Sequence, residues 1–254
     1  GSEMCISDTY YLAAAYRKNG QPAEAKKVYD AILGLKPEEK DAYLLRGSAE
    51  LELGDYESAK ADFDKAISMD PKNYDRLIEI YEALADYGYR EVGQEYLQNV
   101  LNTDKKLDAY DSGRIYYYLG DYQKAYLALE EAKGKGGVDS YLYLGKAYAA
   151  TGDYNYASSV YSNYLSKQGP DAEIYNQLGL CELAKKDYQK ALEAFQAGKQ
   201  IEGNSLMQTL SFNEIVAYEY LQDYQKAAVL LKAYLQNYPD DQAAIREQQF
   251  LSTR

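Results

Sequence analysis

The sequence lacks histidine and tryptophan, and it has two cysteines and five prolines among 254 residues. Without histidine, catalytic triads and zinc sites built on imidazole are excluded. Basic residues are also scarce, with 28 Lys and Arg against 40 Asp and Glu and a net charge of −12. Nucleic acids and anionic membrane surfaces repel a chain of this charge, so we expect neither as a partner.

Long hydrophobic runs are missing too. The apolar stretches reach four or five residues, as in Ala227–Leu231, whereas a membrane helix needs about 18. We expect no integral membrane segment. The opening Gly1-Ser2 is typical of a cloning remnant, and Met4 does not follow it directly, so we expect a fragment of a longer protein. The compartment stays open between the cytoplasm and, if an upstream signal or lipid anchor was removed, the cell envelope.

The two cysteines form no disulfide framework. Cys5 and Cys181 lie 176 residues apart, and neither belongs to a C-x-x-C pair. We expect two free thiols, which fits a reducing compartment, with Cys181 buried and inert.

Tyrosine is abundant, with 31 residues, and the chain repeats itself. The motif Asp-Tyr-x-x-Ala recurs, with two variants that begin at Gly20 and Gly88. The last residues of the seven units fall at 25, 59, 93, 125, 157, 191 and 227, so their separations run from 32 to 36 residues. A period near 34 indicates one helix–turn–helix unit stacked many times.

Each unit carries signals for two helices. A glycine ends the first helix in five units, and an aspartate in the next position can cap the second. A small residue twelve positions before the motif alanine, such as Gly145, would let the second helix approach closely. A large residue four positions after that alanine, such as Tyr161, would fill the space. The unit around Leu77–Leu101 departs most from this pattern, because Gly93 replaces the alanine.

These positions resemble the signature of the tetratricopeptide repeat family. Tyr141, Leu144-Gly145, Tyr148, Ala157 and Tyr161 carry it well. The resemblance implies an all-α, right-handed superhelix of seven helix hairpins, read as one domain. The expected repeats are about 6–39, 40–73, 74–105, 106–137, 138–171, 172–207 and 208–241, with a closing helix at about 241–253.

No catalytic set is visible. Lys135-Gly136-Gly137 lacks the spacing of a phosphate-binding loop, and adjacent carboxylates such as Glu130-Glu131 are typical of solvated helix faces. We therefore expect no enzyme, no cofactor and no metal site.

The resemblance implies that the first helices line a concave groove. From the fourth unit onward the groove positions are mostly apolar or aromatic, and such exposed patches mark contact sites. We predict a non-enzymatic scaffold that holds a protein or peptide there. The predicted groove residues are Tyr110, Arg114, Tyr117, Tyr118, Leu142, Lys146, Leu180, Leu183, Phe212 and Tyr220.

The fourth and fifth units give the sharpest prediction. Tyr110, Arg114 and Tyr117 share one face of one helix, and Lys146 follows Arg114 by 32 residues, in the next first helix. Glu82 is an alternative partner for Arg114, and such a pair would leave Lys146 uncommitted. The expected guest is a short segment with an aromatic or apolar anchor and a carboxylate.

A second interpretation is the peptide-sensing domain of a bacterial regulator, although no DNA-binding helix-turn-helix segment is visible. The tyrosine-rich, acidic repeats suggest a bacterial origin. An upstream DNA-binding domain in the full-length gene would favour the sensor, and an upstream lipoprotein signal would favour an envelope scaffold.

Overall fold

A computed structural model describes residues 6–132 and 134–253, and within them every regular element is a helix. In chain order these are α1 (Ile6–Lys18), α2 (Pro22–Leu35), α3 (Lys40–Glu52), α4 (Tyr56–Met69), α5 (Tyr74–Asp86), α6 (Arg90–Thr103), α7 (Ala109–Tyr118), α8 (Tyr122–Glu131), α9 (Val138–Ala150), α10 (Tyr154–Lys167), α11 (Ala172–Ala184), α12 (Tyr188–Lys199), α13 (Met207–Tyr220), α14 (Tyr224–Asn237) and α15 (Gln242–Leu251). In the described part of the chain, no helix has the length and apolar character to span a bilayer.

The helices pack consecutively as hairpins, from α1–α2 to α13–α14, and α15 packs on α14. The all-helical prediction, the tandem hairpins and the closing helix are confirmed. The chain divides into two compact units, each made of several repeats. Gly1–Leu107, with α1 to α6, is called the first unit below, and Asp108–Arg254, with α7 to α15, is called the second unit.

The turns inside the hairpins follow the predicted chemistry. Gly54 has a φ of 77°, and the Asp55 carboxylate accepts a hydrogen bond from the Ser58 backbone N–H at 3.2 Å. The same aspartate cap starts α8, α10, α12 and α14. In two hairpins Lys186 and Gln222 occupy the left-handed position, with φ of 65° and 63°. A side chain is disfavoured there by about 1 kcal/mol.

Small and large residues interlock within the second, fourth, fifth and sixth hairpins. A Cβ atom added to Gly145 would lie 2.3 Å from Cζ of Tyr161, and one added to Gly179 would lie 2.3 Å from Cε1 of Phe195. Gly47 and Gly113 meet Phe63 and Leu129 in the same way. The predicted close approach of the two helices is confirmed at these positions.

The third hairpin reverses this pairing. Tyr81 occupies the position where five of the other hairpins have alanine or glycine and the last has Ile215, and Gly93 lies opposite it on α6. A Cβ atom at Gly93 would lie 2.9 Å from Cδ2 of Tyr81. Gly93 therefore makes room for a large residue on the first helix.

Each unit has its own buried core. Phe63 and Leu84 are buried in the first unit, and Leu144 and Tyr161 in the second. At the carboxyl end, Leu251 of α15 joins a buried cluster with residues of α13 and α14. The closing helix thus covers apolar surface of the last hairpin, as its sequence predicts.

Candidate partner-binding face

The ten predicted groove residues lie on four first helices of the second unit. They are Tyr110, Arg114, Tyr117 and Tyr118 on α7, Leu142 and Lys146 on α9, Leu180 and Leu183 on α11, and Phe212 and Tyr220 on α13. Helix α9 packs against both α7 and α11. These ten residues are called the first-helix face below.

Arg114 is held within α7. Its guanidinium carbon lies 4.5 Å from the ring centroid of Tyr110, and Nη2 donates to Oδ1 of Asp111 at 2.5 Å. The Arg114 side chain is buried, with 8% of its surface exposed. Tyr110 in turn covers Gly136, where a Cβ atom would lie 2.3 Å from its ring. Stacking and charge pairing both fix the cation. The pairing of Arg114 with Glu82, which lies in the other unit, stays a prediction.

Tyrosine rings join α7 to α9. The ring of Tyr117 makes edge contacts with Tyr118 at 5.5 Å and with Tyr143 at 5.6 Å, and it lies 5.7 Å from Tyr122. The hydroxyls of Tyr118 and Tyr143 are 2.9 Å apart. Burial, followed by the neighbouring Tyr122 and Tyr143, raises the pKa of the Tyr117 hydroxyl. The predicted site residues Tyr117 and Tyr118 are therefore brought together, in a half-buried cluster.

Lys146 is not uncommitted, and the prediction on this point is wrong. Its Nζ lies 3.6 Å from Oε1 of Glu173 on α11, and the Gln177 amide donates to the same oxygen at 2.8 Å. Lys146 keeps a third of its side-chain surface exposed. The spacing of 32 residues placed Lys146 on the adjacent first helix, but it gave no information on the carboxylate of the next repeat.

The three leucines differ in exposure. Leu142 packs against the core that contains Leu144 and Tyr161, and Leu183 packs against the core around Phe195. Leu180 is 39% exposed. Of the three, Leu180 offers the most apolar surface to a partner.

The α13 residues also differ. Phe212 is half-buried and lies 5.7 Å from the ring of Tyr234. Tyr220 is 54% exposed, and it stacks on Tyr188 of α12 with centroids 4.9 Å apart. Tyr220 thus presents one supported aromatic side chain at the surface.

A buried amide pair on α11 and α13 was missed. Asn176 is 5% exposed, and its Oδ1 accepts a hydrogen bond from Nδ2 of Asn213 at 2.8 Å. Asn176 is the polar member of an otherwise apolar or aromatic row in the second unit, which was a signal for a buried polar contact. Nothing in the spacing identified Asn213 as its partner.

Two adjoining cavities lie away from the first-helix face. One of about 250 Å³ is bounded by α13 and α14 and by Lys199, and one of about 380 Å³ opens beside the end of α12. Both are lined by Lys199 and Glu214, whose Nζ and Oε2 are 2.5 Å apart. This pairing neutralises the charges that a ligand would otherwise meet.

Cys181 is a free, buried thiol, and burial raises its pKa to about 12. The thiol is therefore unreactive near neutral pH. Cys5 lies outside the described residues. Among the residues that the structure describes, no cluster of three or more metal-ligating side chains occurs.

Comparisons with known proteins agree on the repeat. A tetratricopeptide repeat model matches residues 10–74 and 142–205, and a second such model matches residues 212–241. Tetratricopeptide repeat protein 21B of Xenopus laevis is 27% identical over 233 residues, which make up 90% of this chain but 15% of that protein. The chain thus spans a small part of the length of this relative.

Solved structures share the fold at low identity. A tetratricopeptide repeat protein from Parabacteroides merdae has a TM-score of 0.57 and 15% identity over 85% of this chain and 86% of that one. PilF of Pseudomonas aeruginosa has a TM-score of 0.52 and 18% identity over 85% of this chain and 97% of that one. Repeats of this kind build protein-interaction scaffolds, which are typically not catalytic. With family matches over more than half of its length and consecutive helix hairpins throughout, the chain belongs to the tetratricopeptide repeat family.

Proposed function

We propose that the first-helix face of the second unit binds a short segment of a partner protein, so that the chain acts as a non-enzymatic binding module. One observation carries the proposal. Leu180 and Tyr220 are 39% and 54% exposed, and the small side chains of Ala150 and Ala184 beside this face are also exposed. Exposed apolar and aromatic side chains on the first helices of consecutive hairpins are typical of a contact site.

The tyrosine cluster supports the same proposal. The rings of Tyr117, Tyr118 and Tyr143 pack against one another. These side chains therefore lose little conformational entropy when a guest contacts them. Rigid aromatic side chains of this kind supply large contact area at low entropic cost. The small alanines leave room for the guest's own side chains.

The charges have unequal roles. Arg114 is buried between Tyr110 and Asp111 and supports the face from within. The looser contact of Lys146 with Glu173, at 3.6 Å, can be exchanged for a carboxylate of the guest. An exchange between partly exposed ion pairs contributes about 1 kcal/mol or less. Lys146 would therefore orient a guest that apolar contacts hold.

Peptide selection on the immobilised chain, followed by binding measurements, tests the site. We expect Leu180→Glu to weaken the selected peptides by about tenfold or more, because it places a charge in the apolar contact. Val229→Glu on α14 is the matched control, since Val229 is 63% exposed and lies outside the face. Peptides that tolerate Leu180→Glu but lose affinity on Val229→Glu would place the site elsewhere.

A second pair of variants ranks the rings against the cation. Truncating a buried anchor typically costs 2 kcal/mol or more, so we expect Tyr117→Ala to weaken binding more than Lys146→Ala. Tyr117→Phe, which keeps the ring, should bind nearly as well as the unchanged chain. If Lys146→Ala has the larger effect, charge rather than apolar contact dominates recognition, and the ranking of the rings above the cation is wrong.

A further inference from the structure

Helix α15 closes the array through a defined set of contacts. Ala244 and Leu251 are buried against the last hairpin. The Asp241 carboxylate caps α15 by accepting from the backbone N–H groups of Ala243 and Ala244, and it accepts from the Tyr234 hydroxyl at 2.6 Å. Both ends of α15 are thus tied to α14 or its core.

One contact at this interface opposes docking. Glu219, near the end of α13, faces Glu247 of α15, and the two carboxyl groups lie within interaction range. Oε1 of Glu219 is buried, and no hydrogen-bond donor reaches it among the described residues. Two ionised carboxylates in this position repel each other, whereas one shared proton turns the contact into a hydrogen bond.

The other buried carboxylates of the second unit have a cation. Glu214 lies 2.5 Å from the Lys199 ammonium, and Glu182 lies 2.9 Å from that of Lys185. Among the described residues, the charged group that shifts the pKa of Glu219 is Glu247 of α15, and no Lys or Arg side chain opposes the shift. Burial and then Glu247 raise the pKa of Glu219 to about 7.

We propose that Glu219 and Glu247 form a pH-dependent latch, in which a shared proton holds α15 against α13 and loss of that proton loosens the closing helix. The geometry that carries this is a like-charged pair, with one buried oxygen lacking a donor, at the seam between the last hairpin and the helix that covers it. The latch operates whether or not the first-helix face binds a partner.

The direction of the pH dependence follows from the proton balance. A carboxyl group with a raised pKa in the docked state binds its proton more tightly there than when α15 is free. The contribution of this pair to docking is therefore greatest below the ordinary pKa of 4.5, and it is lost as the pH rises to about 7. Above that range both carboxylates are ionised and the repulsion is complete.

Amide hydrogen exchange of the whole chain tests the latch. Protection of residues 242–251, corrected for the intrinsic exchange rate, should fall by about tenfold between pH 6 and pH 8, which corresponds to about one pKa unit. Protection of α11 in the same samples is the internal reference and should change by less than about twofold. A closing helix that is equally protected at both pH values overturns the proposal.

Two variants connect this effect to the pair. Glu247→Gln and Glu219→Gln keep the shape and remove one charge each, so either should flatten the pH dependence of α15 protection. Glu202→Gln, at an exposed position between α12 and α13, should leave it unchanged. Glu247 lies on the outer helix, so its variant serves if Glu219→Gln fails to fold. A Glu247→Gln chain that keeps the full pH dependence refutes the latch.

Discussion

The two units differ in the contacts that predominate between their helices, although Lys146–Glu173 and Lys199–Glu214 are cross-helix ion pairs of the second unit. In the first, ion pairs cross between helices: Arg17 with Glu52 at 2.5 Å and Arg46 with Asp62 at 2.6 Å. In the second, rings cross: Tyr126 stacks on Tyr148 at 4.6 Å, and the cluster around Tyr117 links α7 to α9. The same backbone hairpin accommodates both, because its small–large interlock is independent of the residues around it.

One repeat position shows the contrast directly. Nine residues before the motif alanine, the first unit has Tyr16, Glu50 and Leu84, and the second has Tyr116, Tyr148, Glu182 and Tyr218. Glu50 is buried and lies 3.5 Å from Lys26, whereas Tyr148 stacks between two other tyrosines. Charged links respond to pH and salt, and apolar links respond to neither strongly. The contacts around Glu50 should therefore be more sensitive to pH and salt than those around Tyr148.

The largest effect is expected from breaking the Arg46 link. Its guanidinium donates twice to Asp62, at 2.6 and 2.8 Å, and once to Asp30 at 2.7 Å. Arg46→Ala leaves the Asp62 carboxylate buried without its partner, so we expect a loss of about 3 kcal/mol in the first unit. Urea unfolding combined with hydrogen exchange would measure it and should show the second unit unchanged.

Lys60→Ala is the control for that variant. Lys60 pairs with Asp64 on the same exposed helix face at 2.7 Å, and such pairs contribute about 0.5 kcal/mol or less. If Arg46→Ala costs no more than Lys60→Ala, the first unit does not depend on its cross-helix charges.

A second expectation compares α6 with α12. Helix α6 buries Gly93 and Leu97, whereas α12 buries five residues that include Leu192 and Phe195. Stability in a repeat array is a sum of local contributions, so amides of α6 should exchange about tenfold faster than those of α12. Equal or greater protection of α6 would show that the reversed Tyr81–Gly93 contact compensates for the smaller number of buried residues on α6.

Two matched glutamine variants should change the free energy of unfolding in opposite directions. Burial and then Asp62 raise the pKa of Glu50 to about 7, although Lys26 opposes the shift. The first unit therefore loses stability as the pH rises from 4.5 to about 7. At pH 8, Glu50→Gln should stabilise the first unit by about 1 kcal/mol, and at pH 4 this stabilisation should vanish.

Glu182→Gln at the equivalent position should instead destabilise the second unit. It weakens the 2.9 Å contact with Lys185, and the expected loss is about 1 kcal/mol. Thermal unfolding at both pH values, followed by circular dichroism, measures the two effects. If both variants lower the stability at pH 8, the Lys26 ammonium stabilises the Glu50 carboxylate as fully as Lys185 stabilises that of Glu182.

The smallest effect is expected at Gln222. Its φ of 63° suits glycine, which relieves the strain at the cost of more entropy in the unfolded chain. Gln222→Gly should stabilise the last hairpin by about 0.5 kcal/mol. Ala228→Gly, at an exposed position in the interior of α14, should destabilise it by about 1 kcal/mol. A destabilising Gln222→Gly would mean that the Gln222 side chain makes a compensating contact.

Sequence spacing predicted the hairpins because caps, turns and the small–large interlock are local. Asp55 and Gly54 act within one turn, and Gly145 meets Tyr161 at a fixed separation in the repeat. Partners across repeats were not predictable in this way. The contact of Lys146 with Glu173 depends on the side-chain conformations of two helices, and the period fixes only which helices are neighbours.

The reversed interlock of the third hairpin has a consequence for building new arrays from these repeats. The second, fifth and sixth hairpins each carry a glycine on the first helix and an aromatic ring on the second. In the third hairpin, Tyr81 and Gly93 are the opposite halves of that fit. If α5 alone is moved into one of these hairpins, Tyr81 meets another large residue. If a first helix with glycine replaces α5, two glycines face each other and leave an empty space. The smallest interchangeable part of this chain is therefore the whole hairpin.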